Sequence, residues 1–182
     1  MMSKSLSGLT SSASIVTTCV LIIGALLSGC AVENPEDIPA LSMSKEDVWI
    51  AVSGNMAAVD PDYVSTPMPS NTSMRFQQNG CATDPNTLMP SGPPWWYREN
   101  HTLRDPAAER VDTVRRGVEK LLSEGFTRKQ QSPTGDPRDL TVEDARGFAV
   151  GLHHTDFANG GSTVSVTSTS PCVRHPEDEN TG

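Results

Sequence analysis

Apolar side chains recur with helical spacing in two stretches of the chain. In the first stretch, Ser44 stands before an acidic turn, where it serves as a helix N-cap, and Asp60-Pro61 interrupts the pattern. The apolar positions between these two points are three or four residues apart, as one face of a helix requires. They are Val48, Val52, Met56 and Val59, with Trp49 alongside. We therefore predict a helix that begins at Ser44 and ends at Asp60.

The second helical stretch has clear signals at both ends. Asp105 is placed as an N-cap with Pro106 in the first turn, and Gly125 suits the left-handed position that follows a helix. One apolar stripe runs between these ends, as expected of a helix that covers a core. The stripe consists of Val111, Val114, Val118, Leu121 and Leu122.

Elsewhere apolar and polar residues alternate, which is the period of a β-strand. Gly-containing turns at residues 144–147 and 159–161 separate the last of these segments. Two long segments rich in Pro and Ser, residues 61–73 and 82–94, are interpreted as loops. The predicted strands are residues 74–78, 95–100, 126–129, 140–143, 148–153 and 162–168.

Together these elements predict an α+β domain over residues 44–173. Because most strands come last, we expect two layers, in which an antiparallel C-terminal β-meander is covered on one face by the second helix. Residues 30–43 are polar and contain Pro35 and Pro39, which favours a flexible linker stiffened by proline. Residues 174–182 are acidic and are expected to form a frayed tail.

The N-terminus has a different pattern, in which an uninterrupted apolar run follows a polar start. Residues 15–27 are mostly apolar, and the run is shorter than the roughly 20 residues of a membrane-spanning helix. Its length and its flanks are typical of an export signal. The run closes on Leu27-Ser28-Gly29-Cys30 and is followed at once by a polar, acidic stretch.

This ending resembles the lipobox of bacterial lipoprotein signal peptides. The resemblance implies cleavage after residue 29, with Leu27 filling the recognition pocket and Ser28 and Gly29 admitting the peptidase. It implies a diacylglyceryl group on the Cys30 sulfur, and two acyl chains anchor a protein stably. The chain would lie on the extracytoplasmic face of the cell membrane. An uncleaved membrane anchor and an ordinary secreted protein are the alternatives.

The chain has four cysteines, of which two are left for the folded part. Cys19 lies in the apolar run and would be removed with the signal, and Cys30 would be lipidated. An exported domain with two cysteines is the usual setting for one disulfide, so we expect Cys81 to pair with Cys172. The alternative is a pair of free or redox-active thiols, but the chain has no Cys-x-x-Cys motif.

The charge balance excludes some classes of partner. The net charge is −8, and Lys4 is the only charged residue before Cys30, so a product beginning there has 13 basic and 22 acidic side chains. A net charge of −9 argues against nucleic acid, whose phosphates demand a basic surface. It also argues against docking on anionic lipid through a polybasic patch.

Two short segments are candidates for chemistry or binding. Trp95-Trp96-Tyr97 is the densest aromatic patch, and such residues either pack in a core or anchor a partner. His153-His154-x-Asp156 resembles a metal motif, but adjacent strand residues point to opposite faces, so we interpret it as a polar strand end. We find no catalytic motif and predict no catalytic residues, no metal and no cofactor.

The layout of the chain also resembles small actinobacterial envelope lipoproteins, such as the LppA-like mycobacterial ones. The matching features are the lipobox, a polar linker, a helix, Asn79-Gly80-Cys81 and a late Cys172. That family has no settled activity to carry over.

Three hypotheses for function follow. The leading one is a non-catalytic, lipid-anchored envelope protein that binds a protein or cell-wall partner, with Trp95, Trp96 and Tyr97 as the candidate contact. The second is a module that binds a lipid or small amphiphile between helix and sheet. That pocket would be lined by Val111, Val114, Val118, Phe148 and Leu152. The third is a hydrolase with an unrecognised site.

Overall fold

The computed structural model describes residues 35–69, 76–130 and 133–176, which all belong to one compact unit. The lipobox residues Leu27, Ser28, Gly29 and Cys30 lie outside the described residues. The chain forms two helices, α1 (Lys45–Val59) and α2 (Ala108–Ser123), and a mostly antiparallel sheet of eight strands. The strands are β1 (Leu41–Ser42), β2 (Phe76–Thr83), β3 (Pro90–Arg104), β4 (Thr127–Arg128), β5 (Leu140–Glu143), β6 (Ala149–Asp156), β7 (Ser162–Thr169) and β8 (Val173–Arg174). The predicted α+β class is confirmed.

Helix α1 forms as its sequence predicts. The Ser44 hydroxyl oxygen accepts a hydrogen bond from the Asp47 backbone N–H at 3.1 Å, which satisfies one of the free N–H groups of the first turn. The helix ends at Val59, and Asp60 follows as its C-cap. Its predicted apolar positions, Val48, Trp49, Val52, Met56 and Val59, are all buried.

Helix α2 begins later than predicted, and Asp105 is not its cap. Asp105 has a φ of 42°, which is left-handed, and its carboxylate accepts a hydrogen bond from the Ser162 N–H at 2.8 Å. Ala107 takes the N-cap position and contributes no side-chain hydrogen bond. The C-terminal prediction is confirmed: Gly125 has a φ of 98°, and the Phe126 N–H donates to the Leu121 carbonyl at 3.1 Å.

Strand β3 is the centre of the sheet, with β2 paired to it and β7 and β8 also among its neighbours. From β7 the sheet continues through β6 and β5 to β4, and every pairing is antiparallel, so the predicted C-terminal meander is present. Strand β1 pairs in parallel with β8. The first described residues are thereby joined to the last.

Three predicted irregular segments are wrong in part. The predicted loop 82–94 is shortened, because β2 continues to Thr83 and β3 starts at Pro90. The end of the predicted linker is strand β1, and its short 3-10 turn at Pro35–Asp37 accepts a hydrogen bond from Arg174. The predicted tail begins inside β8, and His175 is only 4 % exposed. For the linker and the tail the partner is remote in sequence, so no local pattern reveals it, whereas the loop is shortened by a hairpin that pairs Thr83 with Pro90.

Both helices pack on one face of the sheet, and their apolar residues form two buried clusters. The aromatic cluster lies under the first half of α1 and consists of Val48, Trp49, Val52, Phe76, Tyr97, Phe148 and Val173. The aliphatic cluster lies under α2 and the end of α1 and consists of Met56, Val59, Tyr63, Val114, Val118, Leu121, Leu140, Val142, Val150, Leu152, Val164 and Val166. The opposite face of β7 presents Ser and Thr side chains, as an antiparallel strand with one wet face does.

Candidate functional site

The aromatic segment of β3 divides between the two faces of the sheet. Tyr97 is fully buried, its ring stacks on Phe76 at 5.2 Å, and its hydroxyl lies 2.6 Å from His175 Nε2. Trp95 is half-buried and packs against the same aromatic cluster. The alternative of core packing is therefore correct for Tyr97, and the prediction that Tyr97 contacts a partner is wrong. Trp96 is also half-buried, with the Arg98 guanidinium 5.2 Å from its ring centre.

The two cysteines of the folded part are paired as predicted. Cys81 and Cys172 form a disulfide with their Cα atoms 6.1 Å apart. Cys81 lies in β2 where the register with β3 shifts between Gly80 and Ala82. Cys172 precedes β8, and its carbonyl accepts a hydrogen bond from the Leu41 N–H at 2.9 Å. The bridge thus joins the hairpin of β2 and β3 to the place where the first and last strands meet.

The interior pocket predicted for an amphiphile is not formed by the five residues proposed for it. Val114, Val118, Phe148 and Leu152 are fully buried in packed clusters. Phe148 belongs to the aromatic cluster and the other three to the aliphatic cluster, so they do not line one cavity. Val111 is partly buried and does line a cavity, at the start of α2.

The His-His motif of β6 points to both faces of the sheet, as predicted. The His154 side chain is 8 % exposed and lies on the helix side, whereas the His153 side chain is 44 % exposed. Each has its Nδ1 atom 3.4 Å from a different oxygen of Asp139. Within residues 35–69, 76–130 and 133–176, no three His, Cys, Asp or Glu side chains converge on a point where a metal ion would fit.

A cavity of about 290 Å³ lies where α2 begins, above the ends of β6 and β7. We call it the α2 cavity. In the sheet beneath it, His154 of β6 lies opposite Val164 of β7, and Asp156 lies opposite Ser162. The lining comes from four separate segments: Pro106, Ala108, Val111 and Asp112 from the start of α2, Arg138 from the turn before β5, His154 and Asp156 from β6, and Ser162, Thr163 and Val164 from β7.

Charges of both signs meet at this cavity. Arg138 donates hydrogen bonds to Asp136 and to Asp156, with nitrogen–oxygen distances of 2.6 Å in each pair. The hydrogen bonds from Arg138 hold the pKa of Asp136 well below its usual value, and those to Asp136 and Asp156 raise the pKa of Arg138. Asp136 and Arg138 are therefore charged at neutral pH. Asp112 adds another exposed carboxylate on the helix side.

Beside the cavity, the start of α2 has no side-chain cap and one buried side-chain nitrogen makes no hydrogen bond within the described residues. In the first turn of α2 the Arg110 N–H donates to the Ala107 carbonyl at 2.9 Å, but Ala107 supplies no side-chain acceptor for the N–H groups of that turn. His154 Nδ1 is buried and has no hydrogen-bond partner in the described part of the chain. The Asp139 oxygen 3.4 Å away is near but is not placed for a hydrogen bond.

Sequence reasoning missed the α2 cavity because its residues are scattered from position 106 to position 164. Because Asp105 was predicted to cap α2, an uncapped helix start was not expected there. The one weak signal in the sequence is Ala107 at the N-cap position, because alanine caps helices poorly.

A second polar cluster lies at the end of α1 and joins that helix to β3 and α2. Asp60 has a fully buried side chain that accepts hydrogen bonds from Arg110 and from the Asp62 backbone N–H, and its Oδ2 lies 2.7 Å from His101 Nδ1. Burial by itself would raise the pKa of Asp60, but the hydrogen bonds with Arg110, His101 and Asp62 outweigh it and lower that pKa. Beside it, the Tyr63 hydroxyl lies 3.2 Å from the buried Glu99 carboxylate.

This cluster resembles part of a catalytic triad, in which a carboxylate orients a histidine. In the part of the chain that the structure describes, no serine, threonine or cysteine side chain is hydrogen-bonded to His101. Asp60 contacts His101 of β3 and Arg110 of α2, so we interpret the cluster as a buried polar connection between α1, β3 and α2.

Comparison with known proteins found no family model, no curated protein and no solved structure that matches this chain. Among the described residues, neither helix has the length and apolar character required to span a membrane.

Proposed function

We propose that this chain is a lipid-anchored protein of the cell envelope whose disulfide-bonded domain binds a protein or cell-wall partner outside the membrane. The observation that carries the proposal is the Cys81–Cys172 disulfide. Disulfides persist in oxidising compartments such as the extracytoplasmic space and are rare in the cytosol. An export signal ending in Leu27-Ser28-Gly29-Cys30 agrees with that location.

The position of Cys30 supports an anchor that holds the domain close to the bilayer. Pro35 is the first described residue, and its carbonyl accepts a hydrogen bond from Arg174 of β8. Five residue steps separate Cys30 from Pro35, and a fully extended chain covers at most about 18 Å in that number of steps. A diacylglyceryl group on Cys30 would therefore keep Pro35 within about 18 Å of the membrane surface.

The proposed partner is a protein or glycan because the charge of the domain disfavours the other polymers of the cell. A product beginning at Cys30 has a net charge of −9, which repels nucleic acid. In this proposal the lipid on Cys30, and not a polybasic segment, attaches the domain to the membrane.

The decisive experiment compares three full-length proteins expressed in a bacterium that processes lipoproteins: wild type, Cys30→Ala and Cys19→Ala. Partition between Triton X-114 and water reports lipidation, and intact mass reports cleavage after Gly29. We expect wild type and Cys19→Ala to enter the detergent phase with a processed, lipid-modified mass. We expect Cys30→Ala to retain its signal segment and to lack the lipid mass.

Cys19→Ala is the matched control because Cys19 is also a cysteine of the N-terminal region but precedes the lipobox. If Cys30→Ala carries the same lipid mass as wild type, or if wild type carries none, the proposed anchor is wrong. In-cell crosslinking of the lipidated wild type, followed by mass spectrometry, then identifies the partner.

A further inference from the structure

The turn between β2 and β3 carries two large apolar side chains that lie in solvent. The turn consists of residues 84–89, and we call it the hairpin tip. Within it, Leu88 is 76 % exposed and Met89 is 63 % exposed. Neither side chain belongs to the aromatic cluster or to the aliphatic cluster, so packing within the domain does not account for them.

The backbone of the hairpin tip is held by hydrogen bonds around Asp84. The Asp84 N–H donates to the Met89 carbonyl at 2.9 Å, and the Asp84 carbonyl accepts from the Leu88 N–H at 2.8 Å. Its carboxylate accepts from the backbone N–H groups of Asn86 and Thr87, at 2.7 and 3.2 Å. Leu88 has a φ of 58°, a left-handed conformation that glycine or asparagine adopts at lower cost. A bulky apolar side chain held at a strained and exposed position indicates a contact outside the domain.

The hairpin is also almost uncharged, unlike the rest of the chain. Asp, Glu, Lys and Arg make up 20 % of all residues, yet Asp84 is the one such residue between Arg75 and Arg98. The Asp84 carboxylate is bonded to the backbone N–H groups at the base of the tip. The outermost side chains therefore bring no charge that an apolar environment would have to desolvate.

The sheet places the hairpin tip at the end to which the N-terminal segment is attached. Strand β8 runs antiparallel to β3 and pairs with it through Val173 and Trp95. Because the two strands are antiparallel, Arg174 lies on the side of this pair that leads to Pro90 and the tip. Arg174 donates a hydrogen bond to the Pro35 carbonyl, so the first described residue is held at that end of β3.

The reach of the N-terminal segment matches this arrangement. Five residue steps along β3 separate Trp95 from Pro90, and a strand of that length covers at most about 17 Å. The five steps from Cys30 to Pro35 cover up to about 18 Å. A lipid-bearing Cys30 can therefore lie level with the hairpin tip, which brings Leu88 within reach of the bilayer that holds the lipid.

We propose that the hairpin tip inserts Leu88 and Met89 into the extracytoplasmic surface of the bilayer in which Cys30 is anchored. The two side chains enter the boundary between headgroups and acyl chains, and Asp84 stays among the headgroups. The contact is apolar, so it needs no basic patch. The lipid and the tip together fix the orientation of the domain on the membrane, whereas the lipid alone leaves the domain free to turn.

This inference rests on the proposed function, because it takes the lipid on Cys30 as the first attachment. The intact mass of the purified protein separates the two proposals before any vesicle is made. If the mass shows no lipid on Cys30, the anchor and the tip contact are both wrong. If the lipid is present and the tip stays in water, the tip contact alone is wrong.

The test uses the full-length, lipidated protein reconstituted in vesicles of phosphatidylethanolamine and phosphatidylglycerol. Cys30 carries lipid and Cys81 is paired with Cys172, so Thr87→Cys introduces a single free thiol for an environment-sensitive fluorophore. A nitroxide-labelled lipid quenches a fluorophore in the bilayer, and iodide quenches one in water. We expect quenching by the nitroxide lipid at least about twofold stronger at residue 87 than at a control position, since interfacial apolar groups enter about 5–10 Å.

Phe157→Cys supplies the matched control position. Phe157 is also a large exposed apolar residue, but it lies in the turn between β6 and β7. That turn stands next to the Arg104 end of β3, because Arg104 pairs with Thr163 at the start of β7. The control is therefore at the end of the sheet opposite the hairpin tip, and its fluorophore should be quenched by iodide and not by the nitroxide lipid.

A double variant, Leu88→Asn/Met89→Ser, tests whether the two apolar side chains make the contact. It is built in the Thr87→Cys protein, and asparagine suits the left-handed conformation of residue 88. The thermal midpoint checks that the variant folds. We expect the nitroxide lipid to quench the fluorophore of this variant no more than it quenches the fluorophore at residue 157.

The tip contact is overturned if iodide quenches residue 87 as strongly as residue 157, or if the nitroxide lipid quenches both positions alike. It is equally overturned if the double variant leaves the quenching at residue 87 unchanged. A fluorophore at residue 87 that is in water in vesicles but shielded in native membranes assigns the tip to a protein partner, and that result also rejects the bilayer contact.

Discussion

Helix α2 packs against the end of α1 at Gly117, and replacing this residue by alanine tests how tightly the two helices are packed. An ideal Cβ at Gly117 would lie 2.3 Å from the Val59 carbonyl oxygen and 2.7 Å from the Val59 Cα. Both are backbone atoms of the last residue of α1, so no side-chain rotation can relieve the contact. Helix α1 or α2 must move, although each is tied to the sheet by the aliphatic cluster.

Two effects oppose each other in Gly117→Ala, and their magnitudes decide whether the free energy of unfolding rises or falls. Alanine in the middle of a helix is favoured over glycine by about 1 kcal/mol. Forcing extra volume into a packed interface costs about 1–3 kcal/mol, and the upper part of that range applies where backbone must shift. We therefore expect Gly117→Ala to lower the free energy of unfolding by about 1–2 kcal/mol.

Gly54→Ala is the matched control, because Gly54 is also inside a helix but a Cβ there has no atom within 4 Å. Only the helix-propensity term applies, and we expect this variant to gain up to about 1 kcal/mol. Urea unfolding followed by tryptophan fluorescence measures both, with the midpoint compared at equal m-value. If Gly117→Ala is as stable as Gly54→Ala, the close approach of the two helices is wrong.

Two further predictions concern covalent and ionic ties. The disulfide closes a loop spanning a sequence separation of 91, so the Cys81→Ser/Cys172→Ser double variant should lose about 4.5 kcal/mol of unfolding free energy. Reduced wild type should match it, and a loss below about 1 kcal/mol would contradict the loop-closure argument. Asp60→Asn leaves the half-buried Arg110 without its buried carboxylate and should cost about 3 kcal/mol at pH 7. Because the pKa of Asp60 is lowered by folding, its contribution is present above about pH 4 and is lost as pH falls through the folded-state pKa, so wild type and Asp60→Asn should converge in acid. A gap that stays constant in pH-dependent urea titrations would refute this.

The sequence alone was enough to predict the elements whose signals lie within a few residues. Ser44 and Asp47 form the predicted cap of α1, and Gly125 has the left-handed conformation that its position after α2 requires. The C-terminal meander follows from alternation and glycine turns, since antiparallel neighbours are joined by short connections. The disulfide was predictable because Cys81 and Cys172 are the two cysteines within the predicted domain of residues 44–173.

Tertiary structure decided what depends on residues that are remote in sequence. The pairing of β1 with β8 joins residues more than 130 positions apart, and it turned parts of a predicted linker and a predicted tail into strands. Asp105 bonds to Ser162 instead of capping α2, so the helix start is open. The α2 cavity exists because that open end meets the ends of β6 and β7. Periodicity and capping are local properties of the chain, whereas a strand edge or a cavity is made by segments that meet only after the chain has folded.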